Sequence, residues 1–358
     1  MNVKTNLNQL EPQSLIDAFL KYPPDTFNVQ DSKENLSYFT TQFNLLTTLD
    51  IPVRKKVESI IGYQHWGKLL HLSTCFVGTT VTEYTVLSKD FNVQQIVEKL
   101  KQSAVKNTLT IIKDLPLNSP VLTDFENQFS QDLINAAEKA GFLSVEGQAL
   151  AYVPIDFTDR EDYLSRLSKS RRKNLKRKLK SLDELTLEIV DTGAELFKDN
   201  AFRQHLYQLY LAVYQQSEIH FDLLTVDFFN EILQNKHSGG RVFLYWKDTT
   251  LVGYNICYEY KNNLIDKYIG LNYDLAMEYN LYFISWFVNL DYAKQQNLKF
   301  YVAGWTDPEV KSKLGASFTF TRHLVWIKQP VLRFILRRLR HLFESDTHWY
   351  TQSQESIS

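Results

Sequence analysis

The order strand, helix, glycine, strand occurs twice in this chain, and no other feature restricts its fold as strongly. The first copy runs through Thr108–Leu115, a helix over Ser130–Ala140, Gly141, and strands around Phe142 and Tyr152. The second runs through Leu298–Gly304, a short helix opened by Asp307-Pro308-Glu309, Gly315, and a strand over Phe318–Ile327. A glycine directly after helix-forming residues is a helix C-terminus, because it takes the left-handed conformation at little steric cost. Identity between the copies is slight, so the duplication is one of pattern. A length of 358 residues suits two domains of about 150 residues each.

The rest of the chain reads around these copies. A helix and a turn fill the first thirty residues; a helix is expected over Ser32–Leu49, with strands over Gly62–Leu72 and Val81–Leu87. Phe91–Val105 has helical spacing, with Asn92 near its start. Later come a strand over Leu185–Val190 and helices over Phe202–Gln215 and Asp227–Gln234. A hairpin of Val242–Trp246 and Leu251–Tyr258 follows, then a strand over Asn263–Ile269 and a helix over Tyr282–Gln295. Between the copies, Tyr163–Lys180 places Leu164, Leu167, Leu175 and Leu179 on one helical stripe. The expected division is 1–155, a basic connecting helix over 156–182, 183–328, and a basic amphipathic tail over 329–358.

Charge is segregated. Arg166–Lys180 holds nine Lys or Arg and no acid, and Val331–Phe343 holds four Arg and no acid. With those thirteen set aside, 27 bases face 41 acids. The first segment is either a solvated helix packed by its leucines or an anion-binding wall, since uncompensated cations repel one another. The acidic remainder argues against general DNA binding. In the tail, Leu332, Ile335, Leu336, Leu339, Leu342 and Phe343 form an apolar helical face among arginines. Such a helix docks on its own domain or lies on an anionic membrane surface. Two cysteines are too few for a disulfide framework. No signal peptide and no run of about 20 apolar residues is evident. The expectation is a cytoplasmic protein, in one reading peripheral at the inner membrane face.

The second half, from Arg241-Val242-Phe243-Leu244-Tyr245 through Leu251-Val252-Gly253-Tyr254, Lys267-Tyr268-Ile269-Gly270-Leu271-Asn272, Leu281-Tyr282 and Gly304 to Lys311-Ser312-Lys313-Leu314-Gly315, resembles the GNAT-superfamily N-acyltransferases. Within them it is similar to the FemAB-like, peptidoglycan-bridge-type branch. Ala140-Gly141-Phe142, Tyr163-Leu164 and Ser168-Lys169-Ser170-Arg171-Arg172 extend the resemblance over roughly residues 105–327. It implies an α/β fold of tandem GNAT-like domains, each a twisted mixed sheet flanked by helices. It further implies transfer of an acyl or aminoacyl group to a primary amine of a small-molecule, lipid-linked or cell-envelope acceptor. The donor would be acyl-CoA or aminoacyl-tRNA. Against acyl-CoA, the loop Asn272–Asn280 has no glycine and two acids, and acids near a helix N-terminus repel phosphate. A tRNA donor would use the Arg166–Lys180 helix, with Arg171 and Arg172 among its phosphate ligands. A non-catalytic GNAT-like scaffold at a membrane is the alternative from another class.

Amide formation needs a deprotonated amine, a polarised carbonyl and a proton for the leaving group. HExxH, P-loop and Cys-cluster motifs are missing and the histidines are scattered, so no metal is expected. Glu218 and His220 fall in a loop that borders the acceptor site in GNAT-like folds, and either is a candidate base or a plain loop residue. Asp266 and Tyr268 stand two apart on one strand and are expected to face the same side, towards the donor or towards solvent. Tyr282 is a proton donor or a packing residue. Lys311 matches the family's lysine and holds a phosphate or carboxylate, or is solvated. Trp305 beside Gly304 walls the pocket or is core.

Overall fold

The computed structural model of the chain describes residues 6–30, 36–48, 51–217 and 220–339. They form two compact units. The first draws on the described residues of 6–9, 24–149 and 319–339, the second on Leu10–Pro23 and Leu150–Phe318. The chain therefore leaves the first unit inside one strand, Leu143–Pro154, and returns inside another, Ser317–Ile327.

In the first unit the sheet order is Asn28–Gln30, Tyr38–Asn44, His71–Val77, Leu109–Leu117, Ser317–Ile327, and the first half of Leu143–Pro154. His71–Val77 runs parallel to Leu109–Leu117, from Thr74 opposite Leu109 to Val77 opposite Ile112. Helices Val93–Lys106 and Asp124–Lys139 begin with capping boxes, Asn92 with Gln95 and Thr123 with Glu126. Each satisfies two amide donors that a helix start leaves open. Their apolar faces supply Leu100, Leu133 and Ala137 to a core shared with Ile112 and Leu324. Gly141 ends the second helix at φ 97, and a Cβ there would meet the Trp326 ring at 3.2 Å.

Three expectations fail in this unit. The helix over Ser32–Leu49 is, over its described part, the strand Tyr38–Asn44 and a tight turn Leu45–Thr48. Its aromatic and β-branched residues favour the seven-position pairing with His71–Val77. The strand over Gly62–Leu72 is instead two helical turns, Tyr63–Trp66 and Gly67–Leu70, and strand begins only at His71. Val81–Leu87 alternates, yet only Leu87–Ser88 pairs, with Asn6–Leu7. Its polar side chains bond to other side chains instead: Thr82 with Thr79 at 3.0 Å, and Tyr84 to the distant Ser119 at 2.8 Å.

In the second unit the order is the second half of Leu143–Pro154, then Phe300–Gly304, Asn263–Leu271, Thr250–Tyr260, Gly240–Lys247 and Thr186–Asp191. Among the described residues of this unit only Phe300–Gly304 and Asn263–Leu271 run parallel. One face carries helix Leu281–Gln295, which is apolar almost all round and buried accordingly. The other carries Asn200–Gln216 and Val226–Gln234, tied by Tyr254 Oη donating to Leu206 O at 3.0 Å. The basic segment is two helices, Arg160–Ser165 and Lys169–Leu179. Leu164, Leu175 and Leu179 are buried, as the stripe predicts.

The tail begins as helix Pro330–Leu339. Arg333 donates to Ile327 O at 3.0 Å and lies 4.1 Å from the Trp326 ring centroid, while Val331 and Phe334 are exposed. Arg340, Leu342 and Phe343 lie outside the described residues.

Candidate active site

The parallel strands of the second unit pair at three positions only: Asn263 with Phe300, Leu264 with Tyr301, Ile265 with Val302. Beyond them the register of Phe300–Gly304 against its other neighbour shifts before Gly304, which takes φ 77. A Cβ at Gly304 would meet nothing nearer than Asp266 O at 3.9 Å. The two strands thus splay, and the first residue past the last pair is Asp266.

Asp266 is partly buried and held by neutral donors. Tyr301 Oη donates to its Oδ2 at 2.8 Å and Asn289 Nδ2 to the same oxygen at 3.1 Å. Asn255 Nδ2 donates to Asn289 Oδ1 at 3.1 Å, and Tyr245 Oη to Asn255 Oδ1 at 3.2 Å. Burial pushes the Asp266 carboxyl above its usual range; the Tyr301 hydroxyl and the nearby Lys311 charge oppose that shift. Lys311, on helix Pro308–Leu314, is itself buried and donates from Nζ to Ala303 O at 2.6 Å. It is not a solvated helix lysine. Tyr282 stands in the first turn of Leu281–Gln295, where burial raises its phenol, with smaller contributions from the Asp307 and Asp266 charges. Trp305 follows Gly304 and is partly buried. Asp266, Tyr282 and Lys311 therefore share one electrostatic neighbourhood at the splay.

Tyr268 does not join them. Cys257 pairs with Asp266 but the adjacent Ile256 pairs with Tyr268, so Lys267 is the extra residue of a β-bulge. Adjacent residues on a strand point to opposite faces, so Asp266 and Tyr268 do too, against the simple alternation expected. Asp266 faces Asn289, whereas the Tyr268 ring packs on Phe228 and Phe229, 5.9 and 5.5 Å between centroids. Lys267 makes a buried ion pair with Glu11 at 3.3 Å. His220 is exposed and its ring lies tilted against Tyr214, 5.0 Å between centroids, on the helix covering the Tyr268 face; its Nε2 donates to Tyr214 O at 2.9 Å. Glu218 lies outside the described residues.

The basic helix packs against the Tyr282 helix, with Lys178 Nζ 3.1 Å from the Phe283 ring centroid and its ammonium pushed down by burial. Two of the nine cations do have acids: Arg166 pairs with Asp156 and Asp162, and Lys176 with Glu161. At the start of Lys169–Leu179 the first turn holds no acid. Ser168 Oγ accepts from Arg171 N at 3.4 Å, and Arg172 Nη1 donates to Ser165 O at 3.2 Å. Cations gathered at a helix N-terminus oppose its dipole.

Sequence reasoning missed Asn255, Asn289 and Tyr301. The signal was present for the asparagines, each a polar residue inside an apolar run, Leu251–Tyr258 and Ile284–Leu290. Such a residue is buried only with partners.

No curated protein matches the sequence. Among solved structures, the chain is similar to the C-terminal DUF2156 domain of an Agrobacterium fabrum protein, with 12% identity, TM-score 0.55, and 93% of this chain and 97% of that one covered. It is similar also to L-PGS from Bacillus licheniformis, with 11% identity, TM-score 0.54 and coverages of 93% and 98%. FemX gives 10% identity, TM-score 0.55 and coverages of 93% and 96%. At such identities these likenesses concern the fold, which is the mixed α/β sheet flanked by helices that the sequence predicts. A family model described as FemAB-like, peptidoglycan biosynthesis/recognition, matches residues 86–356. That match spans most of the sequence, and the chain belongs to the FemAB-like family.

Proposed function

We propose that the chain is an aminoacyltransferase that moves an aminoacyl group from tRNA to a primary amine of a cell-envelope precursor. The observation that carries this reading is the splay, with a carboxyl of raised pKa, a buried cation and a phenol around one opening. In the reaction the acceptor amine attacks the ester carbonyl, the C–N bond forms and the C–O bond to the ribose breaks. Asp266 takes the proton the amine releases, Tyr282 supplies one to the departing ribose oxygen, and Lys311 stabilises negative charge on the carbonyl oxygen.

Two features favour tRNA over acyl-CoA. The Asn272–Asn280 loop folds as a short helix Tyr273–Ala276 with Asp274 in its first turn, which suits pyrophosphate poorly. The start of the basic helix lacks acids, which suits a phosphate backbone. The exposed Val331 and Phe334 beside exposed Arg337 and Arg338 support a peripheral site at an anionic membrane face, where lipid-linked acceptors reside.

The test is transfer of labelled amino acid from charged tRNA, with acyl-CoA in parallel, to amine-bearing peptidoglycan precursors and aminolipids. Label must enter the acceptor with tRNA as donor, and Lys311→Met must abolish it without loss of folding. Transfer from acyl-CoA alone would overturn the donor, and no transfer from either would overturn the enzyme reading.

A further inference from the structure

The stretch 54–71 of the first unit turns its aliphatic side chains outward. Ile61 is 97% exposed, Leu69 75% and Ile60 53%. This exposure is built in by local bonds. Ser59 N donates to Lys55 O at 3.0 Å and Tyr63 N to Ile60 O at 3.0 Å. Trp66 Nε1 donates to Ile61 O at 3.3 Å, and the Tyr63 and Trp66 rings meet edge-on at 5.2 Å. Gly62 turns the chain at φ 80, and a Cβ on Gly67 would strike the Tyr63 ring at 2.9 Å. The isoleucines therefore sit on a braced turn whose two aromatic rings stand behind it.

The charge of the stretch itself is mostly of one sign. Arg54, Lys55, Lys56 and Lys68 are exposed, and the sole acid of the stretch, Glu58, is bonded by Arg54 at 2.9 Å. Protruding aliphatics, aromatics at the base and a basic collar match one environment, in which apolar groups enter hydrocarbon, aromatic rings sit at the headgroups and cations meet anionic phosphates. We propose that residues 54–71 form a wedge that inserts into an anionic bilayer surface. The wedge is separate from the tail helix and from the splay of the second unit, and its test does not use transfer activity.

The full-length chain is mixed with vesicles of phosphatidylcholine alone and of phosphatidylcholine with phosphatidylglycerol. It must sediment with the second and not the first. The triple variant Ile60→Asp, Ile61→Asp, Leu69→Asp must lose about 100-fold or more in partition, since burying one such aliphatic side chain is worth roughly ten-fold or more. These residues are exposed, so its melting temperature must stay near the parent's. A chain truncated after Pro330 must still bind. Brominated lipid must quench the parent's fluorescence, and Trp66→Phe must remove that quenching. Equal partition of the triple variant and the parent overturns the proposal, as does quenching that Trp66→Phe leaves intact. Loss of all binding on truncation overturns it in favour of the tail alone. Concentration-dependent dimers without lipid, abolished by the triple variant, overturn it in favour of a second copy of the chain.

Discussion

Among the described residues each unit contains a pair of parallel strands, and in each an aspartate stands within two residues of the last paired position. The two carboxylates are treated differently. In the first unit Asp114 sits at φ 49 with Lys113 Nζ on its Oδ2 at 2.5 Å, and its own N–H donates to His323 Nδ1 at 2.9 Å. Charge is cancelled on the spot, by the preceding residue in sequence. In the second unit Asp266 is held by a phenol and an amide, and the nearby cation of Lys311 donates to a backbone carbonyl. A carboxylate clamped by its own counter-ion is a fixed part of the fold; one held by neutral donors can exchange a proton. Under the proposed function the same topology yields a structural aspartate and a chemical one.

The largest effect should come from testing that contrast directly. Asp266→Asn should lower kcat by about 10²–10⁴ while the melting temperature changes little, and Asp114→Asn should leave kcat within a few-fold. Full turnover by Asp266→Asn would erase the distinction. Next, Lys113→Met leaves Asp114 buried without its cation and should destabilise by roughly 3 kcal/mol in denaturant unfolding. Adding Asp114→Asn should recover much of that loss.

The pH dependences of the two sites should have opposite signs. Because the folded carboxyl of Asp266 is raised, its contribution to stability is present at low pH and is lost as pH rises through the raised value. Asp266→Asn should remove that loss, and the acid limb of the parent's pH–rate profile should lie above the ordinary carboxylate range. In the first unit burial pushes His323 below its usual 6.5, the Asp114 charge opposing and the Lys113 charge reinforcing that shift. Its contribution is present above 6.5 and is lost as pH falls through the lowered value. His323→Gln should flatten that part of the stability curve. The smallest effect is Tyr301→Phe, which removes a hydrogen bond to the ionised form of Asp266. The acid limb should move to still higher pH, by a fraction of a unit to about one unit, with little change in the plateau rate.

What the sequence discloses follows from range. Helices with their own caps, such as Val93–Lys106 with Asn92 and Gln95, were legible because the signal lies within a few residues. So was the Gly315 stop, at φ 99. Tyr38–Asn44 was not, because a strand that depends on partners about thirty residues away has no such local mark. At the site, Asp266, Tyr282 and Lys311 were named from the resemblance, and the structure brings them together. Tyr268 was misplaced because one bulge residue, Lys267, inverts every later face of the strand. Period-two reasoning has no means of detecting such an insertion.

The strand Ser317–Ile327 lies between Leu109–Leu117 and Leu143–Pro154 in the sheet order, yet it is made after the whole of the second unit. On a ribosome the second unit can close first, while the first holds two unpaired strand edges and waits for the strand that joins them. Open edges of that kind recruit other chains. Slow elongation through residues 150–318 would therefore lengthen the interval in which nascent chains can cross-pair.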